Sequence, residues 1–396
     1  MKKIYYITAV FATLFLVGCG DGIDLPGVNV ETDLNKIPLP DNNVNLEQVE
    51  LKPSTEPMLH EGLHTEEDFQ RIRDKKAAGE EPWVSAYQLL VESQFSQKTA
   101  DTYPTEWIKR GVSGDENYMN AARGATIAYQ QALRWKIEQD DEYAAKAVEN
   151  LNKWVQTCVG VTGNTNLSLA AGLYGYEFAI AGELLRDYGG WDRADFAAFQ
   201  NWLLKVFYPA NDDFLKRHHD TNALHYWANW CLCNIAAKMA IGIVTDRRDI
   251  YNEGIAHLQT GDTNGRLRRA IYHDYAPDYN FAQWQESGRD QGHTLMCVGL
   301  MGIICQLAWS QGDDFFAYDD NLFLRACEYA ACCNYTNETV PYTTYIWQKQ
   351  SQWGYPIPEE QTTLGGGKWI KRAIWALPYY CLLYTSPSPR DRTRSR

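Results

Sequence analysis

From Asp141 to Cys158 the apolar residues fall at Tyr143, Ala144, Ala147, Val148, Leu151, Trp154, Val155 and Cys158. That is an unbroken stripe with the period of an α-helix, and a stripe of this kind must be buried against another element. Asp140 or Asp141 supplies a start signal, since a carboxylate there accepts bonds from the unpaired amides of the first turn. Similar polar starts recur at Ser113-Gly-Asp-Glu before Tyr118, at Gly190-Trp-Asp192 before Phe196, and at Gly312-Asp-Asp314 before residues 319–335. The chain therefore reads as helix, short polar turn, helix. The predicted pairs are 116–138 with 141–158, 167–187 with 193–207, 220–243 with 247–259, and 291–311 with 319–335. First members of these pairs are apolar on several sides. Between Thr294 and Trp309 come Leu295, Met296, Val298, Leu300, Met301, Ile303, Ile304, Cys305 and Leu307, the pattern of a helix enclosed by others. Inner and outer helices alternating in hairpins predict an all-α chain, specifically an α/α toroid. A tetratricopeptide-like solenoid uses the same pairing, but the uneven repeat favours the toroid. No long segment with strand periodicity precedes the end of the domain.

The two ends stand apart from this pattern. Residues 1–18 have a basic start at Lys2 and Lys3 and an apolar run from Ile4 to Val17 that stops at Gly18-Cys19. This is the layout of a lipoprotein signal peptide, with Cys19 as the lipidated first residue of the mature chain. Residues 19–57, rich in Pro, Asn and Asp, read as a flexible tether. Residues 381–396 break abruptly from what precedes them and read as a non-native, adapter-derived tail. Without Lys2, Lys3, and the four arginines and one aspartate of that tail, 31 basic residues face 49 acidic ones, a net charge of −18. A surface this acidic argues against nucleic-acid binding, while a polyanion-binding cleft needs only a local cluster of Arg, Lys and His. Eight of the ten cysteines lie among apolar residues in the domain, where a thiol packs as a small hydrophobe. No CxxC spacing occurs, so no cysteine-built metal site is expected; disulfide pairing stays open.

Two stretches interrupt the helices. One runs from Gly261 to Asp290 with many Arg, Tyr and His residues, and loops this long inside a compact helical domain usually carry function. The other, Asn334 to Gly367, carries Tyr342, Tyr345, Trp347, Trp353 and Tyr355, and reads as a lid or as the start of a further C-terminal part. Ser287-Gly-Arg-Asp-Gln-Gly-His293 lies where the first stretch meets the apolar helix. Arg289 and His293 share a face if that helix begins before Arg289, and the Arg fork suits a carboxylate. The alternative is a hydrogen-bonded plug that anchors the loop. At Thr221–Trp230, Asn222, His225 and Asn229 step by three and four along one face of a predicted helix, flanked by Tyr226, Trp227 and Trp230.

Arg268-Arg-Ala-Ile-Tyr-His-Asp-Tyr275-Ala resembles the Arg…Tyr-His-Asn-Tyr-Ala segment of alginate lyases, in which the arginine and the last tyrosine are catalytic. Gln285-Glu-Ser-Gly-Arg-Asp-Gln-Gly-His-Thr294 and Ala-Tyr318-Asp-Asp-Asn321 resemble an exported bacterial branch of the same superfamily. The resemblance covers roughly residues 60 to 340. It implies an α/α toroid, β-elimination on alginate or a related polyuronate, and no organic cofactor. In that chemistry Asn, His or Arg neutralises the C6 carboxylate, a base takes the C5 proton, and an acid protonates the departing O4 oxygen. The expected roles are then these. Arg289 and Asn229 neutralise the carboxylate, His225 assists or acts as base, and Tyr275 is the acid, and also the base if nearby positive charge lowers its pKa. Asn222, Trp227, Arg268, Tyr279, Gln285, Glu286 and His293 bind substrate or orient the others, with Tyr279 a rival to Tyr275. One departure stands out: the adjacent Asn-His pair of typical alginate lyases is replaced by Ala223-Leu224. The expected layout is a signal peptide (1–18), a tether (19–57), a toroid domain (58–335), an aromatic-rich segment (336–380) and the tail (381–396). The expected partners are an acidic polysaccharide and, through the lipid anchor only, a membrane; no metal and no nucleic acid is expected, and the oligomeric state is open. The expected location is periplasmic or outer-membrane associated. An α/α-toroid glycoside hydrolase using Glu286 and Asp290, or a non-catalytic glycan-binding lipoprotein, are the rival readings.

Overall fold

The structure is a computed structural model that describes residues 54–379. The expected signal peptide, Cys19, most of the tether and the tail lie outside the described residues. Two compact units emerge.

The first comprises residues 54–220 and Cys233–His257. It holds α1 (Glu66–Ala77), α2 (Trp83–Glu92), β1 (Trp107–Arg110), α3 (Tyr118–Glu138), α4 (Asp141–Thr157), β2 (Gly160–Gly163), α5 (Leu167–Leu184), α6 (Arg193–Val206) and α7 (Tyr208–Arg217). Most of α8 (Ala228–Val244) and α9 (Arg248–Thr260) follows. The expected hairpins are present. Gln139, at φ 58, turns the chain between α3 and α4, and the Asp140 side chain caps the Glu142 amide at 3.0 Å. Gly124 lets α3 approach α4, since a Cβ there would lie 2.1 Å from the Trp154 indole nitrogen. Gly182 does the same for α5 and α6 against Phe199. α5 is buried along nearly its whole length, as an inner helix must be. The helices α1, α2 and α7, and the parallel pair β1–β2, were not anticipated; each is short or lacks a clean apolar stripe.

The second unit comprises Thr221–Leu232 and residues 258–379. It contains α10 (Leu267–Ala270), β3 (Ile271–Asp274), β4 (Ala282–Trp284), α11 (Gln291–Ser310), α12 (Tyr318–Tyr335), β5 (Tyr345–Gln350) and β6 (Pro356–Gln361). The expected loop at 261–290 thus folds into a helical turn and an antiparallel hairpin, β3–β4. The aromatic-rich segment forms a second hairpin, β5–β6. α11 is apolar all round and buried, as its sequence requires, with most of its residues enclosed. The eight cysteines of the described residues are all buried.

Two helix starts differ from expectation, and both matter for chemistry. α8 begins at Ala228, not near residue 220. Asn222 instead folds into a turn, its Oδ1 accepting the Leu224 amide at 3.0 Å, a local bond that competes with helix. Asn222, His225 and Asn229 therefore do not share a helix face. α11 begins at Gln291 with Asp290 as N-cap, so Arg289 precedes the helix and is not one turn below His293.

Candidate functional site

The first-turn amides of α8 need acceptors, and the loop before α11 provides them. The Ala228 amide donates to Gln285 Oε1 at 3.0 Å, and the Asn229 amide donates to Glu286 Oε1 at 3.1 Å. A carboxylate at the positive end of a helix is electrostatically favoured there. Glu286 is fully enclosed, and burial raises its pKa against the opposing pull of Arg289 and His293. Gln285 and Glu286 are thus helix-capping groups, and neither faces water. This removes the glycosidase pair, because a hydrolase needs both carboxylates exposed to the sugar.

Asn229 is buried as well, its Oδ1 enclosed without a partner and its amide group 3.7 Å from Met296 Sδ. The expectation that it neutralises a substrate carboxylate fails on access. Asn222 is also committed. Its amide group donates to Gln348 O at 3.1 Å and to Gln350 Oε1 at 2.8 Å, and its own Oδ1 serves the Leu224 turn.

What remains open is a set around two stacked indoles. The rings of Trp227 and Trp347 lie 4.6 Å apart at 26°. Beside Trp347 is the His225 ring, nearly parallel at 13° with centroids 6.1 Å apart. The Arg289 guanidinium lies 5.4 Å from the Trp227 ring centre, within cation–π range. Its Nη1 is 3.3 Å from Glu286 Oε2 and its side chain is 29% exposed, so part of its donor fork faces solvent. His225 Nδ1 accepts the Gln350 amide at 2.8 Å. An acceptor nitrogen carries no proton, so in the neutral ring Nε2 is the donor. Burial and then Lys349 lower its pKa, which keeps the ring neutral. On the other side of Arg289, His293 Nδ1 lies 2.6 Å from Asp290 Oδ2. Burial pulls the Asp290 pKa upward, but the His293 bonds and the Arg289 charge hold it below the ordinary value.

The residues of the Arg–Tyr motif are elsewhere and differently employed. Arg268 pairs with Asp319 and lies 3.6 Å from Asp274, which also receives Arg325 at 2.6 Å. It is a member of a nearly buried ion network that pins α12 to β3. Tyr275 is buried in an apolar cluster with Phe281, Tyr329, Cys332, Cys333 and Val340, against which Tyr279 also packs. Its hydroxyl donates to Gln283 Oε1 at 2.5 Å and lies 3.1 Å from Thr343 Oγ1. The expected lowering of its pKa is reversed: burial pushes the phenol up to about 12, against the hydrogen bonds from Thr343. Counted along the chain, Thr343 at Tyr275 and Trp347 at His225 are four residues apart, about 13 Å of extended backbone. The structure links Arg289, His225, Trp227 and His293 by ring and ion contacts, whereas Tyr275, Tyr279 and Arg268 make theirs with β4, the segment before β5, and α12.

Two features were missed in the sequence. Trp347 and Gln350 are recognisable only once β5 is seen to lie over His225 and Asn222. The Asp290–His293 pair was legible as a cap signature, an aspartate three residues before a histidine at the start of an apolar run. Among the described residues no group of three or more His, Cys, Asp or Glu side chains is placed to hold a metal.

The sequence profile of the alginate lyase family matches residues 72–338. No curated protein sequence matches the chain. Among solved structures, a histidine-to-alanine variant of alginate lyase A1-III complexed with a tetrasaccharide superposes with a TM-score of 0.52 at 14% identity, covering 70% of this chain and 78% of that one. A tyrosine-to-phenylalanine variant of the same enzyme, also with a tetrasaccharide, gives 0.52 at 15% identity, covering 70% and 79%. An alginate lyase from Bacteroides ovatus gives 0.50 at 15% identity, covering 68% and 82%. At this identity the likeness carries the fold, and the expected class, an all-α chain of the α/α toroid kind, is borne out.

Proposed function

The chain belongs to the alginate lyase family, and from that premise we propose that it is a polysaccharide lyase cleaving alginate or a related polyuronate by β-elimination at the Trp227–Arg289 group. One observation carries this placement: Arg289, alone among the arginines singled out in the sequence, keeps a partly open guanidinium beside an aromatic platform. A planar fork of this kind binds a C6 carboxylate in bidentate fashion and withdraws its charge, which makes the C5 proton removable. His225 Nε2–H supplies a second donor, replacing the Asn-His pair that this chain lacks at Ala223-Leu224. Trp227 and Trp347 offer ring faces for the apolar sides of a sugar. Buried, protonated Tyr275 holds β4 to the segment leading into β5.

The same reading extends to location. The pattern of residues 1–18 supports export, with lipidation at Cys19 tethering the domain to a membrane in the periplasm or at the outer membrane. Substituting Cys19→Ser is expected to shift the protein from the membrane to the soluble fraction; unchanged membrane retention would refute the anchor.

The activity is tested by incubating the purified protein with polymannuronate, polyguluronate and glucuronan. Ultraviolet absorbance of a new C4=C5 double bond is the expected product signal. New reducing ends without that absorbance would indicate a hydrolase, and binding without product a glycan-binding protein.

A further inference from the structure

The first unit holds an arginine that the group around Trp227 and Arg289 does not use. We propose that Arg110, set over Tyr118, binds a carboxylate of an acidic polysaccharide, a second one besides that assigned to Arg289. The lyase reading above supplies the identity of the polymer, whereas the preference for a carboxylate follows from the arginine's own surroundings.

Arg110 ends β1, which pairs in parallel with β2 from Trp107–Gly160 to Arg110–Gly163. The two strands are close at this end. Gly163 has φ +139, and a Cβ there would lie 1.8 Å from the Arg110 carbonyl oxygen, so only glycine permits the approach that fixes the Arg110 backbone. The side chain reaches the start of α3, where its guanidinium carbon stands 4.7 Å from the centre of the Tyr118 ring, within cation–π range. Tyr174, on α5, feels the same charge: burial raises its phenol pKa, and Arg110 pulls the other way.

What this arginine lacks is an acceptor. Its Nη1 is enclosed without a hydrogen-bond partner, and among the described residues no carboxylate lies within ion-pair distance of the guanidinium. The acidic residues nearest in sequence are engaged elsewhere. Asp115 holds the Lys109 ammonium at 2.5 Å, and Glu116 accepts the Gly111 amide at 2.6 Å. The buried arginines of the molecule behave differently: Arg134 meets Glu138, Arg186 meets Glu183, and Arg325 meets Asp274. In a chain this rich in carboxylates, a cation left without one is a departure that a ligand would repair. An enclosed donor with no acceptor is a standing cost to the fold, and a planar carboxylate matches the fork of N–H groups. The Arg110 side chain is only partly buried, so such a ligand arrives from solvent. The aromatic ring of Tyr118 beneath the guanidinium holds the fork flat for it.

Native gels cast with polymannuronate, or with its carboxyl-reduced neutral counterpart, report affinity from the retardation of the full chain. Arg110→Ala is expected to lose roughly tenfold or more in affinity for the acidic polymer, with affinity for the neutral one unchanged. Its melting midpoint should stay close to wild type, because no protein acceptor is stranded; a structural arginine would lower it. Arg110→Lys keeps the charge without the fork and should fall between the two. With polymannuronate as substrate, KM should rise by the factor lost in affinity while kcat stays within about twofold. Arg110→Gln repeats the comparison should the alanine variant fail to fold. Equal losses on both polymers, or none on either, would overturn the site and leave the lyase reading untouched. A wild-type chain that shows the Arg110-dependent preference yet forms no unsaturated product would end the lyase reading and leave the site standing.

Discussion

Between Arg268 and Gln283, three side chains are met from within: Arg268 by Asp319 and Asp274, Asp274 again by Arg325, and Tyr275 by Gln283 and Thr343. Between Gln285 and His293 the same residue types are satisfied only in part. Gln285 and Glu286 cap α8, while the Arg289 and His293 side chains are 29% and 32% exposed. Both stretches lie in the second unit, and both begin with residues of a family-like motif. The difference teaches that residue type and spacing mark where a polar network exists, whereas access and leftover hydrogen-bonding capacity mark where a ligand can enter it. On the reading proposed above, the first stretch serves the fold and the second the substrate.

That contrast can be broken from either side. Asp274→Ala removes the carboxylate shared by Arg268 and Arg325 in a nearly buried network, and losing one member of a buried ion group costs about 3–5 kcal/mol. A large fall in the denaturation midpoint is expected, with turnover per folded molecule unchanged. A variant that melts like wild type yet has lost its activity would reverse the roles of the two stretches. Arg289→Ala should do the opposite. Losing a charge-assisted contact worth about 1.5–3 kcal/mol is expected to lower kcat/KM by roughly ten- to a hundredfold, with a smaller shift in the melting midpoint than Asp274→Ala. Unaltered kinetics would remove Arg289 from the substrate.

Glu286 sharpens the contrast through pH. Its pKa is raised in the folded state by burial, with Arg289 and His293 opposing and Asp290 adding to the rise. An acid that holds its proton more tightly when folded stabilises the fold below its unfolded pKa. That contribution is lost as pH rises from the unfolded through the folded value. Glu286→Gln keeps an acceptor for the Asn229 amide and removes the titration. Urea midpoints measured from acid to neutral pH should therefore decline less in this variant than in wild type. Parallel profiles would mean that the carboxylate feels water in the folded protein.

Much of the architecture could be read beforehand. The stripes at 141–158 and 294–309 fixed which segments were helices and which were enclosed, because apolar periodicity is a local property of the chain. The start of α8 could not be read, since its first amides are capped by Gln285 and Glu286, some 57 residues away. The same non-local bonds turned Asn229 inward, and β5 ties up the Asn222 side chain through Gln348 and Gln350. Arg289 was singled out by its chemistry, and its side chain is partly exposed beside the Trp227 ring. The Asp290–His293 contact becomes visible only when the helix start is known.

The central proposal is that Arg289 and His225 engage the substrate carboxylate and that the buried phenol serves the fold. Tyr275→Phe removes only the hydroxyl that binds Gln283 and Thr343, and the fold should lose about 1 kcal/mol. Its single-turnover rate of unsaturated uronate formation, measured at saturating polymer, is the direct test. The account predicts a rate within about threefold of wild type, equivalent to less than about 1 kcal/mol in the barrier. A loss on the order of a thousandfold in a folded, polymer-binding Tyr275→Phe protein would contradict it and return the chemistry to the Arg268–Tyr275 stretch.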